Sequence, residues 1–332
     1  MTGFLMTALV LLMLVVLILG GLALFTLRTT RKIEAAFPPA GRFVDVPGTR
    51  VHVSETGNGK GPALLLIHGL GGQMANFTYG VVGRLSTQYR VVTVDRPGSG
   101  YSVRNDATPA DLSTQARAIA ALVDKMQLGP TVVVGHSLGG ALALTLALEH
   151  PKTVAGLALV APLTHMPEGA EVPAAFKGLT IASPLLRKIV AWTLALPASI
   201  RGRDQILAQV FGPDAVPHDF ATRGGGLLGL RPSHFLAASA DLQALPAYMP
   251  TLMSRYPELR VPVSILYGRE DRILDWKVNG QAMVDKLPGT QLTLVSGGHM
   301  LPITDPVQTA QFIRDAAERV WALQSPTELS GT

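Results

Sequence analysis

The chain has 332 residues, of which 48% are apolar and 15% charged, with no cysteine and a formal net charge of +5. The absence of cysteine excludes a disulfide framework, a thiolate nucleophile and a thiolate zinc site. Part of the positive charge sits in Arg28, Arg31 and Lys32, and no basic run of five or more residues occurs elsewhere, so nucleic acid is not expected as a partner.

From Phe4 to Leu27 there are 24 consecutive residues without a charge. At ~1.5 Å per residue such a helix spans about 36 Å, enough to cross a hydrocarbon core of about 30 Å. A cleaved signal peptide would have a shorter apolar stretch, ~7–15 residues, behind a basic start and ahead of a small-residue cleavage site. Here no basic side chain precedes the run, and Thr26-Leu-Arg-Thr-Thr-Arg-Lys32 contains no small-x-small pattern. Residues 1–32 are therefore read as an uncleaved single-pass membrane anchor. Because the basic residues follow the span, the remainder of the chain is expected on the cytoplasmic side.

Residues 33–41 read as a linker, with Pro38-Pro39 stopping any helix. Residues 42–46 and 50–54 flank Pro47-Gly48-Thr49, the pattern of a β-hairpin. Residues 63–67 form a continuous apolar run, as in a strand buried on both faces of a parallel sheet. The alternation continues with a helix over 75–87, a strand over 90–94, a helix over 112–126, a strand over 131–134, a helix over 138–150 and a strand over 156–161. After an interruption it resumes with strands over 263–267 and 291–295 and helices over 275–287 and 307–323. Strands alternating with helices predict an α/β fold, a mostly parallel sheet with helices on both faces.

The interruption, about residues 163–259, is too long for an ordinary connection and reads as a helical cap inserted into the 42–323 domain. Within it, residues 184–196 are apolar around most of a helix. Such a helix is either buried between cap and core or rests on a bilayer, with Trp192 at headgroup depth and Arg187-Lys188 against anionic lipid. The polar tail, residues 324–332, is expected to fray.

Gly135-His136-Ser137-Leu138-Gly139 follows an apolar strand and opens an Ala/Leu-rich helix. In that context a strained turn lifts the Ser137 hydroxyl above the sheet, and the helix N-terminus directs N–H groups at developing negative charge. A serine nucleophile needs a base, and His299 lies on the loop leaving the last predicted strand, at the same sheet edge. Asp271, at the end of the 263–267 strand, falls between the two in chain order and is the expected orienting acid, ahead of Glu270 and Asp275. The oxyanion donors are expected to be the N–H groups of Leu138 and of Leu70, the latter in His68-Gly69-Leu70-Gly71-Gly72. His68 reads as a hydrogen-bonding residue beneath the site. No His/carboxylate cluster has metal-ligand spacing, and neither metal nor cofactor is expected.

His68-Gly69, Asp95-Arg96-Pro97-Gly98-Ser99-Gly100-Tyr101-Ser102, Gly135 to Gly139, Gly268 to Asp271 and Gly298-His299 occur in the order of the α/β-hydrolase superfamily, which the chain resembles over residues 42–323. The likeness is to its epoxide-hydrolase, haloperoxidase and monoacylglycerol-lipase side, with the Asp95 stretch as a structural turn. Epoxide hydrolases and haloalkane dehalogenases of this fold have Asp at the nucleophile, so Ser137 implies acyl chemistry instead. The anchor followed by a hydrolase domain is similar in layout to membrane monoacylglycerol lipases. The resemblance thus implies a serine esterase or lipase acting on small-molecule or lipid esters. Carbon–carbon bond hydrolases, aminopeptidases and acyltransferases share the triad, and a silent ligand-binding member of the fold is the non-enzymatic alternative.

Overall fold

The computed structural model describes residues 2–57 and 63–324; of the expected tail, all but Gln324 lies outside the described residues. The first element is one continuous helix, α1 (Thr2–Ala36), long and apolar enough to cross a membrane. It runs past Lys32 into the expected linker because Ile33-Glu34-Ala35-Ala36 contains no breaker. Phe37 N–H still donates to the Ile33 carbonyl at 2.9 Å, and only Pro38 disfavours a further helical residue before it.

The elements that follow are β1 (Arg42–Val46), β2 (Thr49–Thr56), β3 (Leu64–Ile67), α2 (Ala75–Thr78), α3 (Val82–Leu85), β4 (Val91–Val94), β5 (Val103–Arg104), α4 (Leu112–Lys125), β6 (Thr131–His136), α5 (Leu138–Glu149) and β7 (Val154–Val160). Then come α6 (Pro184–Thr193), α7 (Ala195–Phe211), α8 (Pro232–Ser254), β8 (Val263–Gly268), α9 (Ala282–Lys286), β9 (Gln291–Val295), α10 (Leu301–Thr304) and α11 (Pro306–Gln324). The strands form one sheet in the order β1-β2-β4-β3-β6-β7-β8-β9, with β5 on β2. Pairs involving β1, β2 and β5 are antiparallel, and all pairs from β4 to β9 are parallel.

Period-two alternation divides the central strands between two cores. Leu65, Ile67 and Val133 pack with Ile119, Leu122, Leu142 and Leu146 on one face. Leu64, Leu66, Val132 and Val134 pack with Phe77, Leu85, Ile313 and Ala317 on the other. Three expectations shift. The helix expected over 75–87 is two short turns around Gly80, where a Cβ would come within 2.8 Å of Pro306. The helix expected over 275–287 begins as a π-helical turn, Lys277–Gln281, ahead of α9. The two-residue strand β5 was not anticipated.

Between β7 and β8 the chain is helical. Ala191 of α6, Leu207 of α7 and Ala238 of α8 face a cavity that also reaches Ser137, so these helices roof the carboxyl edge of the sheet. The single helix expected over 184–196 breaks at Leu194 into α6 and α7. One side of it is buried, at Ala191, Ala195 and Leu196, but most of its large apolar residues face outward: Leu185 is 69% exposed and Leu186 51%.

Candidate active site

Ser137 stands between β6 and α5 with φ +54° and ψ −121°, a region that L-residues with side chains rarely adopt. The two flanking glycines explain how the chain affords it. A Cβ on Gly135 would lie 2.5 Å from the Gly139 carbonyl oxygen, and one on Gly139 would lie 2.2 Å from that of Ile67. The strand–helix turn is therefore packed backbone to backbone. Ser137 N–H donates to the Val160 carbonyl at 3.1 Å, and the Ser137 carbonyl accepts from Gly140 and Leu163 N–H.

His299 lies between β9 and α10, and its Nδ1 is 2.7 Å from Asp271 Oδ2. Both side chains are almost completely buried. The other Asp271 oxygen accepts the N–H groups of Ile273 and Leu274 at 2.8 and 3.0 Å, which fixes the carboxylate in place. Glu270 is engaged elsewhere, accepting Gly297 N–H at 2.7 Å, and Asp275 accepts Lys277 N–H at 2.8 Å. Asp271 alone of the three acids meets the imidazole. His136 donates from Nε2 to the His299 carbonyl at 3.0 Å. Burial, reinforced by the neighbouring His299, holds its pKa down at about 3.

The loop after β3 closes through Gly72 N–H to the Gly69 carbonyl at 3.2 Å, which leaves Leu70 N–H without an acceptor among the described residues. Leu138 N–H belongs to the first turn of α5, where helix geometry leaves donors unpaired. Beneath this loop, His68 accepts Arg96 N–H on Nε2 at 2.9 Å and donates from Nδ1 to the Gly69 carbonyl at 2.9 Å. Complete burial, then the charge of Arg96, lowers its pKa to about 3.

The guanidinium of Arg96, fully buried, donates to the carbonyls of His68 and Gly69 at 3.0 and 3.1 Å. Its charge is met by Asp241 of α8 at 2.8 Å, which also pairs with Arg104 at 3.0 Å. Asp95, expected as a structural turn residue, accepts from Met74 and Tyr101 N–H and contacts His52 at 2.7 Å. Asp214, after α7, accepts Gly298 N–H at 2.9 Å, next to His299. The roles of Arg96, Asp241 and Asp214 were missed from sequence. One signal was present: Asp241 is the sole Asp, Glu, Lys or Arg in the 23 residues of α8, and a lone charge on such a helix calls for a partner.

Two cavities meet at Ser137. The larger, about 740 Å³, also contains His299; the smaller, about 300 Å³, extends towards Leu163, Met166 and Leu274. Leu70 and Phe176 line both. Two residues of α1, Thr29 and Ile33, form part of the larger wall. Among the described residues no group of three His, Cys, Asp or Glu side chains could hold a metal ion.

Comparison with known proteins agrees with this architecture. A pimeloyl-[acyl-carrier protein] methyl ester esterase of Stenotrophomonas maltophilia is 33% identical over 284 residues, 82% of this chain and 95% of that protein. A 2-hydroxy-6-oxononadienedioate/2-hydroxy-6-oxononatrienedioate hydrolase of Burkholderia vietnamiensis is 30% identical over 247 residues, 73% of this chain and 82% of the other. Among solved structures, a membrane phospholipase A, a bacterial virulence factor, superposes with a TM-score of 0.66 at 24% identity, covering 97% of this chain and 99% of that one. Residues 62–306 match the alpha/beta hydrolase fold family. With the sheet order and the strand–turn–helix at Ser137, this makes the chain a member of the α/β-hydrolase family.

Proposed function

We propose that the protein is a membrane-anchored serine hydrolase that cleaves carboxylic esters through an acyl-enzyme. The observation carrying this reading is that Ser137 and His299 share one cavity while buried Asp271 orients the imidazole. His299 takes the Ser137 proton as Oγ attacks the ester carbonyl, and the oxyanion accepts from Leu70 and Leu138 N–H. Collapse expels the alcohol, which receives that proton, and water repeats the sequence to release the acid. The two chambers suit an ester with an apolar arm on each side of the carbonyl. The last turns of α1, built into the cavity wall, favour a retained anchor over a cleaved signal. Exposed Arg28, Arg31 and Lys32 at its end favour a cytoplasmic catalytic domain.

The name of the Burkholderia relative motivates a second reading, hydrolysis of a dioate. Against it, the charged side chains lining the larger cavity are Arg203, Asp204 and Arg231. Arg203 is 3.1 Å from Asp204, and Arg231 is 3.3 Å from Glu34. The buried Arg231 is thus already paired, and Arg203 sits in an exposed pair at the surface rather than deep in the cavity.

A fluorophosphonate probe should label Ser137 in the full chain, with the adduct located by mass spectrometry. Ser137→Ala should keep the circular dichroism of the wild type and lose labelling. Against p-nitrophenyl esters, monoacylglycerols, an amide and a dienedioate, turnover should fall at least ~1,000-fold in that variant. Retention of more than a few per cent of activity removes Ser137 as nucleophile, and turnover confined to the dienedioate favours the second reading.

A further inference from the structure

The hydrolase reading leaves open how a poorly soluble ester reaches a nearly buried serine, and three observations converge on an answer. The first is a surface patch. Leu185, Leu186, Ile189 and Trp192 of α6, followed by Leu194 and Ile200, are all exposed, none less than 40%. A row of large apolar side chains on the outside marks an interaction surface rather than a solvated one.

The second is where the patch lies. On α1 the residues from Phe4 to Ile18 are exposed, whereas Thr26, Thr30 and Ile33, at spacings of four and three, are buried. This is one helical face, and α1 packs against α6. The patch therefore stands beside the end of the apolar span, at the level of exposed Arg28, Arg31 and Lys32. The basic pair on α6 contributes less than its sequence suggests, since Arg187 donates to the Ile181 carbonyl and Lys188 lies 3.5 Å from Asp106.

The third is the cavity. Thr29 and Ile33 line it from α1, and Ile200, Arg203 and Asp204 line it from α7. The last three are also at the surface, Ile200 51% exposed. They mark the mouth, and Ile200 belongs to the apolar patch. The cavity wall thus joins residues of α1 to residues at the exposed end of the patch.

We infer that the outer face of α6 and the start of α7 rest in the bilayer interface, and that the cavity opens there as a side port through which a lipid ester passes from the leaflet to Ser137. The occupant is lipid because the patch is continuous with a helix whose own surface is apolar over the length of a span. The inference rests on the hydrolase reading for what enters the port, but not for the docking itself.

Docking is read without catalysis. Full-length Ser137→Ala in phosphatidylcholine–phosphatidylglycerol vesicles should show tryptophan emission quenched by doxyl-labelled phosphatidylcholine, and that component should vanish when Trp192→Phe is added. Emission from Trp192 quenched by aqueous iodide instead overturns the inference. So does protection from both quenchers, which would put a second copy of the chain on the patch. The port is read with Leu186→Glu and Ile189→Glu together, both exposed and so compatible with the fold. Hydrolysis of an ester dissolved in the bilayer should fall at least about tenfold, as expected for removing two apolar side chains from lipid. Hydrolysis of a soluble short-chain ester should stay within about twofold of wild type. An equal fall on both substrates, or none on either, rejects the port. If the wild type hydrolyses neither ester, the proposed function fails while Trp192 quenching still decides the docking.

Discussion

The floor and the roof of the cavity are held together in different ways. The floor is made of loops at the carboxyl edge of the sheet, pinned by backbone contacts so close that Gly135 and Gly139 admit no side chain. The roof, α6 to α8, packs on the floor through apolar residues such as Leu242, Leu245 and Met249 of α8 and Phe211 of α7, and a handful of polar side chains fix its register. Asp241 pairs with Arg96, His234 contacts the Gly71 carbonyl at 2.7 Å, and Asp214 accepts Gly298 N–H. Gln73 and Asn76 donate to the carbonyls of Gly225 and Gly224. Most of these links end on the loops that carry Leu70 and His299. A roof whose contacts converge there positions the proposed chemistry as well as enclosing it.

Breaking the floor should have the largest effect. His299→Ala and Asp271→Asn are expected to lower kcat by ~1,000- to 10,000-fold, and adding either to Ser137→Ala should cost little more, because a triad acts as a unit. Glu270→Gln is the internal comparison: it retains an acceptor for Gly297 N–H and should remain far more active than Asp271→Asn. Steady-state kinetics on a soluble ester separates the two, and a reversed order would reassign the acid.

The clearest link between roof and floor comes next. Asp241→Ala leaves Arg96 and Arg104 without their shared carboxylate in a nearly water-free site. Removing one partner of a buried pair typically costs about 3–5 kcal/mol, so denaturant unfolding should show a loss of that order. If stability changes by less than ~1 kcal/mol, solvent screens the pair and the roof is held some other way.

How far each region was legible follows from the same difference. Floor elements announce themselves locally: β3, β6, β7 and β8 are short apolar runs, the glycines around Ser137 are demanded by the turn, and Asp271 and His299 follow from topology. The roof depends on distant pairing. Arg96 sits in what reads as a turn, and its partner Asp241 is 145 residues away. The apolar surface of α6 looks like a core helix until its position beside α1 is known. Nor could residues 33–36 reveal that the apolar N-terminal helix continues into the cavity wall, since a Pro-Pro stop sets only the latest end of a helix.

Acid should weaken the floor from within. His68 and His136 both have pKa values of about 3 when folded, against about 6.5 for an ordinary histidine. Above pH ~6.5 both states are neutral and neither residue affects stability. Below it the unfolded chain binds protons that the folded one refuses, so each histidine subtracts ~1.4 kcal/mol per pH unit until about pH 3. Urea unfolding between pH 7 and pH 5, as a range of roughly two units, should show this decline, and His136→Gln should make it shallower. An unchanged slope in that variant would mean that His136 titrates in the folded protein.

The smallest effect tests whether the roof positions the base. Asp214 touches neither cavity, yet its carboxylate holds the Gly298 N–H beside His299, while Glu270 holds Gly297 from the sheet side. The His299 loop is thus gripped by one acid from the roof and one from the floor. A hydrogen bond to a charged acceptor contributes about 1.5–3 kcal/mol, and part of that will be recovered by water at this half-buried position. Asp214→Ala is therefore expected to lower kcat on a soluble ester by about tenfold or less with KM unchanged. Asp214→Asn, which keeps a carbonyl acceptor for the same N–H, should restore most of the rate. A purely structural role would predict the opposite pattern: a lower melting temperature in Asp214→Ala, with kcat per folded molecule intact.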